Sequence, residues 1–550
     1  MNRRPTTVLQ GNIAALRDSD RLRIPSMRHD RFMQIVERVQ PDASVQMVQS
    51  RSGHTVPEFR MADSRISFHS RYDPEVEAER AVTGIRARGT ICVFGFGAAY
   101  HIMRVLREDL VLRVLVVCES ARTLKATLMH LDLGNVLSDP RLHLLLPEKP
   151  SVLYSAFLEN HVPFFSTGIS ELTLSSCARI FPDLHRIFRD SLAKALESIG
   201  GDMTTQVRYA RSWFRNILVN SLTAYQVPPA SLAGAIHTTV VAAGPSAERH
   251  FKNLSTSNDF ILACDTTAPA LLAFGQRADA ILCIDPSLYS YHHLLNGFPP
   301  GARTILDVGV HPSVWKRSPG RSGIRSGHPL IRIMSPVFDH LPQMGFHSDV
   351  TRASVSLALR SGAETVTVVG GDYRWTAGKP YVRGSYIPKL FLSESNRLRS
   401  NESRNVDFMF HPHETRFDPD TGDYLVETFA GRREELEALI ASRSLESSYD
   451  AAPDSHVHTR KALVPVLEKL QRILAHVPDA ADESPEMYFS RLSDSEIVGA
   501  FVLAPLALRL FRRTEATDHS HGFITCLGDA KTEAIQTVER VHSIAVSRIL

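Results

Sequence analysis

Polar residues follow four apolar runs in the middle of the chain, each time beside a small or turn-forming residue. The four sites read Gly244-Pro245-Ser246, Asp265-Thr266, Asp285-Pro286 and Gly370-Gly371-Asp372. Carboxylates accept hydrogen bonds from ribose, sugar or pterin groups, and they can also act as general bases. If the apolar runs are parallel strands, all four sites lie at one edge of the sheet, where α/β proteins bind ligands. We therefore expect a nucleotide-type ligand between about residues 240 and 386.

The first of these sites is suited to an anion. In Gly244-Pro245-Ser246 the glycine allows close backbone approach, the proline fits the first turn of a helix, and the serine can bind phosphate together with helix amides. A tight turn capped by Ser246 is the alternative. For Asp265 and Asp285, capping of the following helix is the alternative to ligand contact.

The residues after Asp372 combine basic and aromatic side chains between glycines, running RWTAGKPYVRGSY from Arg374 to Tyr386. This composition favours a flap that closes over a phosphorylated donor. A solvated surface loop is the alternative.

A second candidate nucleotide site lies nearer the N-terminus. Gly95-Phe96-Gly97 follows a short β-rich run, and Glu119 ends the next one, which is the outline of a βαβ unit. Tyr100 stands where a third glycine would pack the helix. A nucleotide-binding fold without a ligand is therefore the alternative to a working site.

The elements that must position these residues indicate an α/β fold. Continuously apolar runs predict five strands buried on both faces, namely 238–243, 260–264, 280–284, 304–306 and 365–369. We predict a Rossmann-like N-terminal domain with a leading extension over residues 1–200, a central parallel α/β domain over 201–430 and a helical C-terminal region over 431–550.

Composition argues against several partners. The 62 Lys and Arg residues nearly balance the 59 Asp and Glu residues, so we expect no nucleic-acid partner. The longest apolar stretch, 497–508, is too short to cross a membrane and contains Pro505. Four of the six cysteines lie in apolar runs, which indicates a reducing compartment, and we expect a cytoplasmic protein.

Two segments imitate metal sites. The sequence His411-Pro412-His413-Glu414 contains a proline that prevents regular helical spacing. The acidic run from Asp418 to Asp423 lacks the closing glutamate of a calcium loop, so a turn is favoured. We expect no bound metal.

The motifs together resemble a known family. The segments VVAAGPSAERHF, FILACDTTAPALLAFGQRADAILCIDPS and RASVSLALRSGAETVTVVGGDYRWTAGKPY resemble the central domain of Maf (motility-associated factor) glycosyltransferases, a domain type also found in the 6-hydroxymethylpterin pyrophosphokinase MptE. The N-terminal SRYDPEVEAER and VFGFGAAYHI resemble the additional domain of the Maf proteins. The resemblance implies a sialyltransferase-like central domain.

The resemblance also implies a reaction, the transfer of a nonulosonic acid, such as pseudaminic acid, from a CMP-linked donor to Ser or Thr of flagellin. Gly244, Pro245 and Ser246 would meet the donor phosphate, and the aspartates would line the crevice. Asp372 would be the base, and Thr266 and Gly371 would lie in the crevice. The remaining candidates are Tyr373, Tyr381 and Tyr386 as hydrogen-bond donors to the phosphate, and Arg374, Lys379 and Arg383 as cations that neutralise its charge. No cofactor is required beyond the donor.

Two positions depart from the family pattern. Asp349-Val350-Thr351 replaces the small pair that usually opens the helix before the last strand, and Lys379-Pro380-Tyr381 stands where many members carry a histidine. These departures suggest a non-catalytic flagellin-binding assembly factor as one alternative function. The domain type shared with MptE makes a hydroxymethylpterin pyrophosphokinase the other. Association into a homo-oligomer stays open.

Overall fold

The chain forms two compact units in the computed structural model. One unit comprises Met1–Val207 and Pro478–Gly528, and the other comprises Arg208–Val477 and Asp529–Leu550. The structure describes residues 5–19, 34–62, 64–85, 89–108, 111–146, 153–154, 157, 169–232, 234–254, 258–326, 328–344, 349–411, 414–429, 431–441, 456–479, 488, 491–514 and 523–549.

The first unit contains a small antiparallel sheet and a parallel sheet. Strands β1 (Val45–Gln49), β2 (Thr55–Arg60) and β3 (Arg65–Ser67) form the antiparallel sheet in that order. The parallel sheet has the order β6-β5-β4-β7, with β4 at Gly89–Phe94, β5 at Val111–Val117, β6 at Leu142–Leu145 and β7 at Ile169–Thr173. Every residue of β4 is buried, as expected for a strand covered on both faces.

Helices of the first unit pack on both faces of its parallel sheet. Ile91 and Val93 face one apolar cluster with Ile102 and Leu128, while Cys92 and Phe94 face another. The helices before residue 222 are Pro5–Ser19, Pro74–Thr83, Tyr100–Val105, Ala121–His130, Gly134–Leu137, Ser175–Ile180 and the long Pro182–Ser221.

The second unit is built on a six-stranded parallel sheet of order β12-β11-β10-β9-β8-β13. The strands are β8 (His237–Val241), β9 (Phe260–Cys264), β10 (Ala280–Cys283), β11 (Arg303–Asp307), β12 (Ser322–Ile324) and β13 (Thr365–Val369). Val240, Leu262, Leu282 and Ile305 pack with Val355 and Leu357 of the helix Val350–Arg360 in one core cluster. The five apolar runs thus form five of these strands. The expected burial on both faces is wrong for β13, because it is an edge strand and Thr365 and Thr367 are exposed. Strand β12 was missed because it has only three residues.

The helices and 3-10 turns of the second unit connect and cover these strands. The helices are Phe251–Leu254, Ala268–Ala273, Leu288–His293, Pro312–Arg317, Pro329–Ile333, Ser335–Phe338, Val350–Arg360, Tyr386–Ser393, Asn401–Phe410, Arg432–Ala441 and His456–Ala475. The 3-10 turns are Ala224–Gln226, Pro245–His250, Asp265–Thr267 and Glu427–Phe429.

A second, three-stranded sheet follows β13. Strand β14 (Arg374–Trp375) pairs antiparallel with β16 (Asp423–Val426), which pairs with β15 (Thr415–Asp418). The acidic run between Asp418 and Asp423 is the turn of the hairpin, where Asp418 accepts from the Asp420 amide and the Thr421 hydroxyl. The turn predicted for this run is therefore present, and it follows the short and largely polar strand β15.

The predicted mixed α/β fold with parallel sheets and a helical C-terminal part is confirmed. Beyond residue 431 the described residues form the helices Arg432–Ala441, His456–Ala475, Asp494–Thr514 and Phe523–Ile549. Within the described chain, no helix combines the length and apolar character that crossing a bilayer demands.

Candidate functional site at the carboxyl edge of the central sheet

The order in which strands join the central sheet changes side at β8. Strands β9 to β12 extend the sheet on one side of β8, whereas β13 pairs with the other side. The strand order therefore has a switch point between β8 and β13, and α/β proteins bind ligands in a crevice beside such a point. These two loops are Gly244-Pro245-Ser246 and Gly370-Gly371-Asp372, the two glycine-containing sites of the sequence.

Glycines permit the close approach of the two loops. The Gly244 amide donates to the Gly370 carbonyl at 2.9 Å. A Cβ at Gly244 would lie 2.4 Å from that oxygen and 2.6 Å from Cγ of Asp372. Gly370 has φ of +77°, and its Cβ would meet the Ala242 carbonyl oxygen at 2.5 Å. No other residue type fits either position without displacing backbone.

Asp372 binds the turn that the sequence predicted as an anion site. Its Oδ2 accepts from the Ser246 amide at 3.0 Å and from the Thr376 hydroxyl at 3.0 Å, and its Oδ1 accepts from the Ser246 hydroxyl. The anion at this turn is thus the chain's own carboxylate. Ser246 and Asp372 are 126 residues apart in sequence, and both are half-buried.

Asp265, directly after β9, is almost completely buried at 3% exposure. Its Oδ1 accepts from the Thr266 amide at 2.7 Å and from the Thr266 hydroxyl at 3.2 Å, and the Cys283 thiol donates to its Oδ2 at 3.2 Å. Burial, reinforced by the charge of Asp265, raises the pKa of Cys283 well above its ordinary value, so the thiol keeps its proton and remains a donor.

Asp285, after β10, is half-buried, and its Oδ1 accepts from the Ser287 amide at 2.7 Å. Burial is the main cause that raises the pKa of Asp285, and the negative charge of Asp265 adds to it. Asn216, on the long helix Pro182–Ser221, donates to the Pro286 carbonyl at 2.9 Å and fixes this loop from outside. A carboxyl group with a raised pKa in a half-buried position is a stronger base than one in water.

The segment from Arg374 to Tyr386 is attached to the sheet edge. The Val382 amide donates to the Ala243 carbonyl at 2.8 Å, and Val382 is fully buried. A Cβ at Gly384 would lie 3.1 Å from Cα of Ala270, so the segment lies directly on the helix Ala268–Ala273. Arg383 pairs with Glu248 at 2.8 Å. The segment thus covers the loops after β8 and β9.

Two tyrosines and two histidines complete the edge. Tyr381 is half-buried, and burial together with the charges of Asp265 and Asp285 raises its pKa to about 12. The ring of Tyr386 stacks on His292 with centroids 5.2 Å apart and planes at 6°, and it meets His293 edge-on at 5.9 Å. Sequence reasoning missed both histidines, although they stand only seven and eight residues after Asp285.

Some predicted site residues have other partners. The Tyr373 hydroxyl donates to Asp349 Oδ1 at 3.1 Å, and its ring packs with the core cluster of the sheet. Burial is the main cause that raises its pKa far above the ordinary value. Arg374 pairs with Asp423 at 3.5 Å. Gly371 lies against Val368 and Leu436, and the Lys379 side chain is exposed.

The N-terminal glycine turn is filled by the protein itself. The Gly97 amide donates to Glu119 Oε1 at 2.9 Å, and the Ala98 amide donates to His69 Nε2 at 2.9 Å. A Cβ at Gly95 would lie 2.8 Å from Cys177 Sγ. Glu119 and His69 are 4% and 3% exposed. Both amides that would hold a phosphate therefore already have partners.

The described residues contain no cluster of three or more His, Cys, Asp or Glu side chains that could hold a metal ion. Pro412 and His413, in the segment that imitates a metal site, lie outside the described residues. All six cysteines lie in the described residues, are buried and form no disulfide with one another.

Comparison with known proteins agrees with the fold. Residues 215–378 match the family described as 6-hydroxymethylpterin diphosphokinase MptE-like. Two uncharacterized proteins of Treponema pallidum (strain Nichols) are similar, one at 25% identity over 29% of this chain and 78% of its own length, the other at 29% identity over 27% of this chain and 56% of its own.

A solved structure matches the whole chain. The structure of MAf glycosyltransferase from Magnetospirillum magneticum AMB-1 aligns with a TM-score of 0.51 at 13% identity, over 99% of this chain and 97% of that chain. The resemblance inferred from the sequence motifs is therefore confirmed, and this protein has the fold of a MAf glycosyltransferase with an MptE-like central domain.

Proposed function

We propose that the protein is a glycosyltransferase that moves a nonulosonic acid of the pseudaminic or sialic type from a CMP-linked donor to Ser or Thr of flagellin. It would act in the cytoplasm and support flagellar assembly and motility. The observation that carries the proposal is the gathering of Ser246, Asp265, Asp285 and Asp372 along one sheet edge, beside the switch point, in a chain with the MAf glycosyltransferase fold.

The proposed reaction requires few catalytic groups from the protein. The donor releases CMP as a phosphate monoester, so the site must stabilise a leaving anion and accept one proton from the acceptor hydroxyl. Tyr381 supplies a hydroxyl group near Asp265 and Asp285, and Tyr386 lies against His292 and His293. Lys379 and Arg383 are exposed cations on the covering segment. The amide and hydroxyl of Ser246 become donors to the phosphate once Asp372 turns away.

Thermal unfolding with a panel of ligands tests the donor class. We expect CMP and CMP-N-acetylneuraminate to raise the melting temperature, whereas GTP and S-adenosylmethionine leave it unchanged. A ligand at 100 times its Kd stabilises the folded state by about 2.7 kcal/mol, so the melting temperature should rise measurably as CMP is titrated above its Kd. An unchanged melting temperature with both CMP and CMP-N-acetylneuraminate at millimolar concentration contradicts the proposal.

The match of residues 215–378 to the MptE-like family favours a second candidate, transfer of diphosphate from ATP to a hydroxymethylpterin. That function predicts stabilisation by Mg-ATP with hydroxymethylpterin and indifference to CMP. A non-catalytic flagellin-binding factor predicts that flagellin co-purifies with the protein even after Asp265→Asn and Asp372→Asn.

A further inference from the structure

His293 is a buried titratable side chain whose function is not explained by packing. It ends the helix Leu288–His293 and is 7% exposed. Its Nδ1 is buried and has no hydrogen-bond partner within the part of the chain that the structure describes. A protonated His293 acts electrostatically on Asp285 and lowers the pKa of that carboxyl group. The same helix is tied to Asp285, because the Ser290 hydroxyl donates to the Asp285 carbonyl at 3.0 Å. A buried ring nitrogen without a partner is costly unless the site uses it.

Several elements face Asp285 with polar or titratable groups. The Ser287 amide takes one carboxylate oxygen, and Asn216 holds the neighbouring Pro286 carbonyl. The titratable groups whose charges or pKa values are linked to Asp285 are Asp265 after β9, Cys283 on β10, Tyr209 on the helix Pro182–Ser221, Tyr381 on the covering segment and His293.

Asp372, the base predicted from the sequence, is in a different situation. Both of its oxygens accept hydrogen bonds, three in total, from Ser246 and Thr376. Its carboxylate holds together the two loops at the switch point. A group that is engaged on both oxygens is poorly placed to take up a proton from an incoming hydroxyl.

We propose that Asp285 is the base that deprotonates the acceptor and that His293 is the positioning residue that sets the charge of Asp285. This assignment rests on the proposed function. The acceptor oxygen forms a bond to the anomeric carbon of the donor sugar, and the bond from that carbon to the phosphate oxygen breaks. Its electron pair leaves with CMP, and the acceptor proton moves to the Asp285 carboxylate.

The test uses the full-length chain and CMP-N-acetylneuraminate, with water as acceptor and release of CMP as the readout. Asp285→Asn should lower the rate of CMP release at least 100-fold, in the range typical of a lost general base, while the Kd for CMP stays within threefold. His293→Phe keeps an aromatic ring and should lower the rate about tenfold. Asp420→Asn, at an exposed turn, and His237→Phe, at the opposite edge of the sheet, are the matched controls and should behave as wild type.

The pH profile separates positioning from a merely structural role of His293. When protonated, His293 lowers the pKa of Asp285, so replacing His293 with phenylalanine should raise the pKa of Asp285. The acidic limb of the kcat/KM profile in His293→Phe should therefore move to higher pH, and His237→Phe should leave it in place. An unmoved limb overturns the role of His293.

The remaining outcomes distinguish this assignment from the proposed function. If Asp285→Asn releases CMP at the wild-type rate, Asp285 is not the base. If the wild-type protein binds CMP but releases none from the donor, the assignment of a base is also overturned, whereas the proposed donor site is not. A wild-type protein that does not bind CMP overturns the proposed function, and this assignment with it. Loss of CMP binding in Asp285→Asn overturns the base role in favour of a binding role.

Discussion

The two parallel sheets of this protein each carry a glycine turn at their switch point, and in each the turn binds a carboxylate of the same chain. In the first unit the Gly97 amide binds Glu119, and in the second the Ser246 amide binds Asp372. The surroundings differ. Glu119 is buried beside His69 and Cys177, whereas Asp372 is only half-buried.

This difference shows that a glycine turn indicates close approach of a neighbouring chain segment. The residues around the turn determine whether space for a ligand is left beside it. In the first unit, side chains occupy the space opposite the glycines, with His69 Nε2 2.5 Å from a Cβ built at Gly97. In the second, the Gly244 and Gly370 positions are filled by the facing loop. The partly exposed groups Asp285, Tyr381 and Tyr386 lie along the same sheet edge.

Gly370→Ala should have the largest effect on stability, because it breaks the contact between the two loops. The left-handed φ of +77° disfavours alanine by about 1–2 kcal/mol, and the clash of Cβ with the Ala242 carbonyl at 2.5 Å adds about 1–3 kcal/mol. The free energy of unfolding, measured in urea, should fall by the sum of the two.

Gly275→Ala is the matched control for Gly370→Ala. Its φ is +65°, but no atom lies within 4 Å of the added Cβ, so only the conformational cost applies. Equal losses in both variants contradict the argument that the switch-point loops are packed against each other.

Asp307 shows that part of the central edge is closed in the manner of the first unit. It ends β11, is 3% exposed, accepts from the Gly309 amide, and its Oδ2 has no hydrogen-bond partner within the described chain. Asn216 and Asn220 bind the carbonyls of Gly309, Val308 and Val310 and cover this loop. Burial raises the pKa of Asp307 from 3.8 to about 6.

The raised pKa predicts a pH dependence of stability. The folded chain holds the proton of Asp307 more firmly than the unfolded chain, so the contribution of this group is complete below pH 4 and is lost as the pH rises to about 6. The loss is about 3 kcal/mol at most. Urea unfolding of wild type and Asp307→Asn from pH 4 to 7 should show a stability difference that changes by this amount, whereas Asp420→Asn should show none.

The sequence predicted the local features of this fold well and the long-range contacts poorly. The continuously apolar runs identified β9 and β13 at both ends, and the polar residues after them identified the edge. The contact between Ser246 and Asp372 could not be read locally because it depends on β13 pairing with β8 across more than a hundred residues. The sequence prediction assigned Arg374 to a phosphate because its partner in the structure, Asp423, lies 49 residues later and no local sequence pattern indicates this pairing.

Glu119→Ala tests whether the filled turn of the first unit is structural. The substitution leaves the Gly97 amide and the Cys177 thiol without their acceptor, which costs about 1–3 kcal/mol. Glu119→Gln keeps an acceptor oxygen and should lose less. The rise in melting temperature caused by CMP should be the same in both variants as in wild type, and its disappearance would place the nucleotide in the first unit.

Ser246 and Asp372 should show the smallest effect, a coupling of about 1 kcal/mol in a double-mutant cycle. Ser246→Ala removes the hydroxyl donor, and Asp372→Asn removes the negative charge that the Ser246 amide and hydroxyl bind. Because Asp372 is half-buried, water replaces part of the hydrogen bonding that each single variant loses. The free energies of unfolding of the two single variants and the double variant must therefore be compared.

Additive losses of stability mean that the two loops are held by their glycine backbones alone and that Asp372 is free to bind a ligand. A coupling that vanishes only when CMP is bound means that the donor phosphate displaces Asp372 from Ser246. The buried Glu119 in the first unit leaves no room for such a displacement at the Gly97 turn.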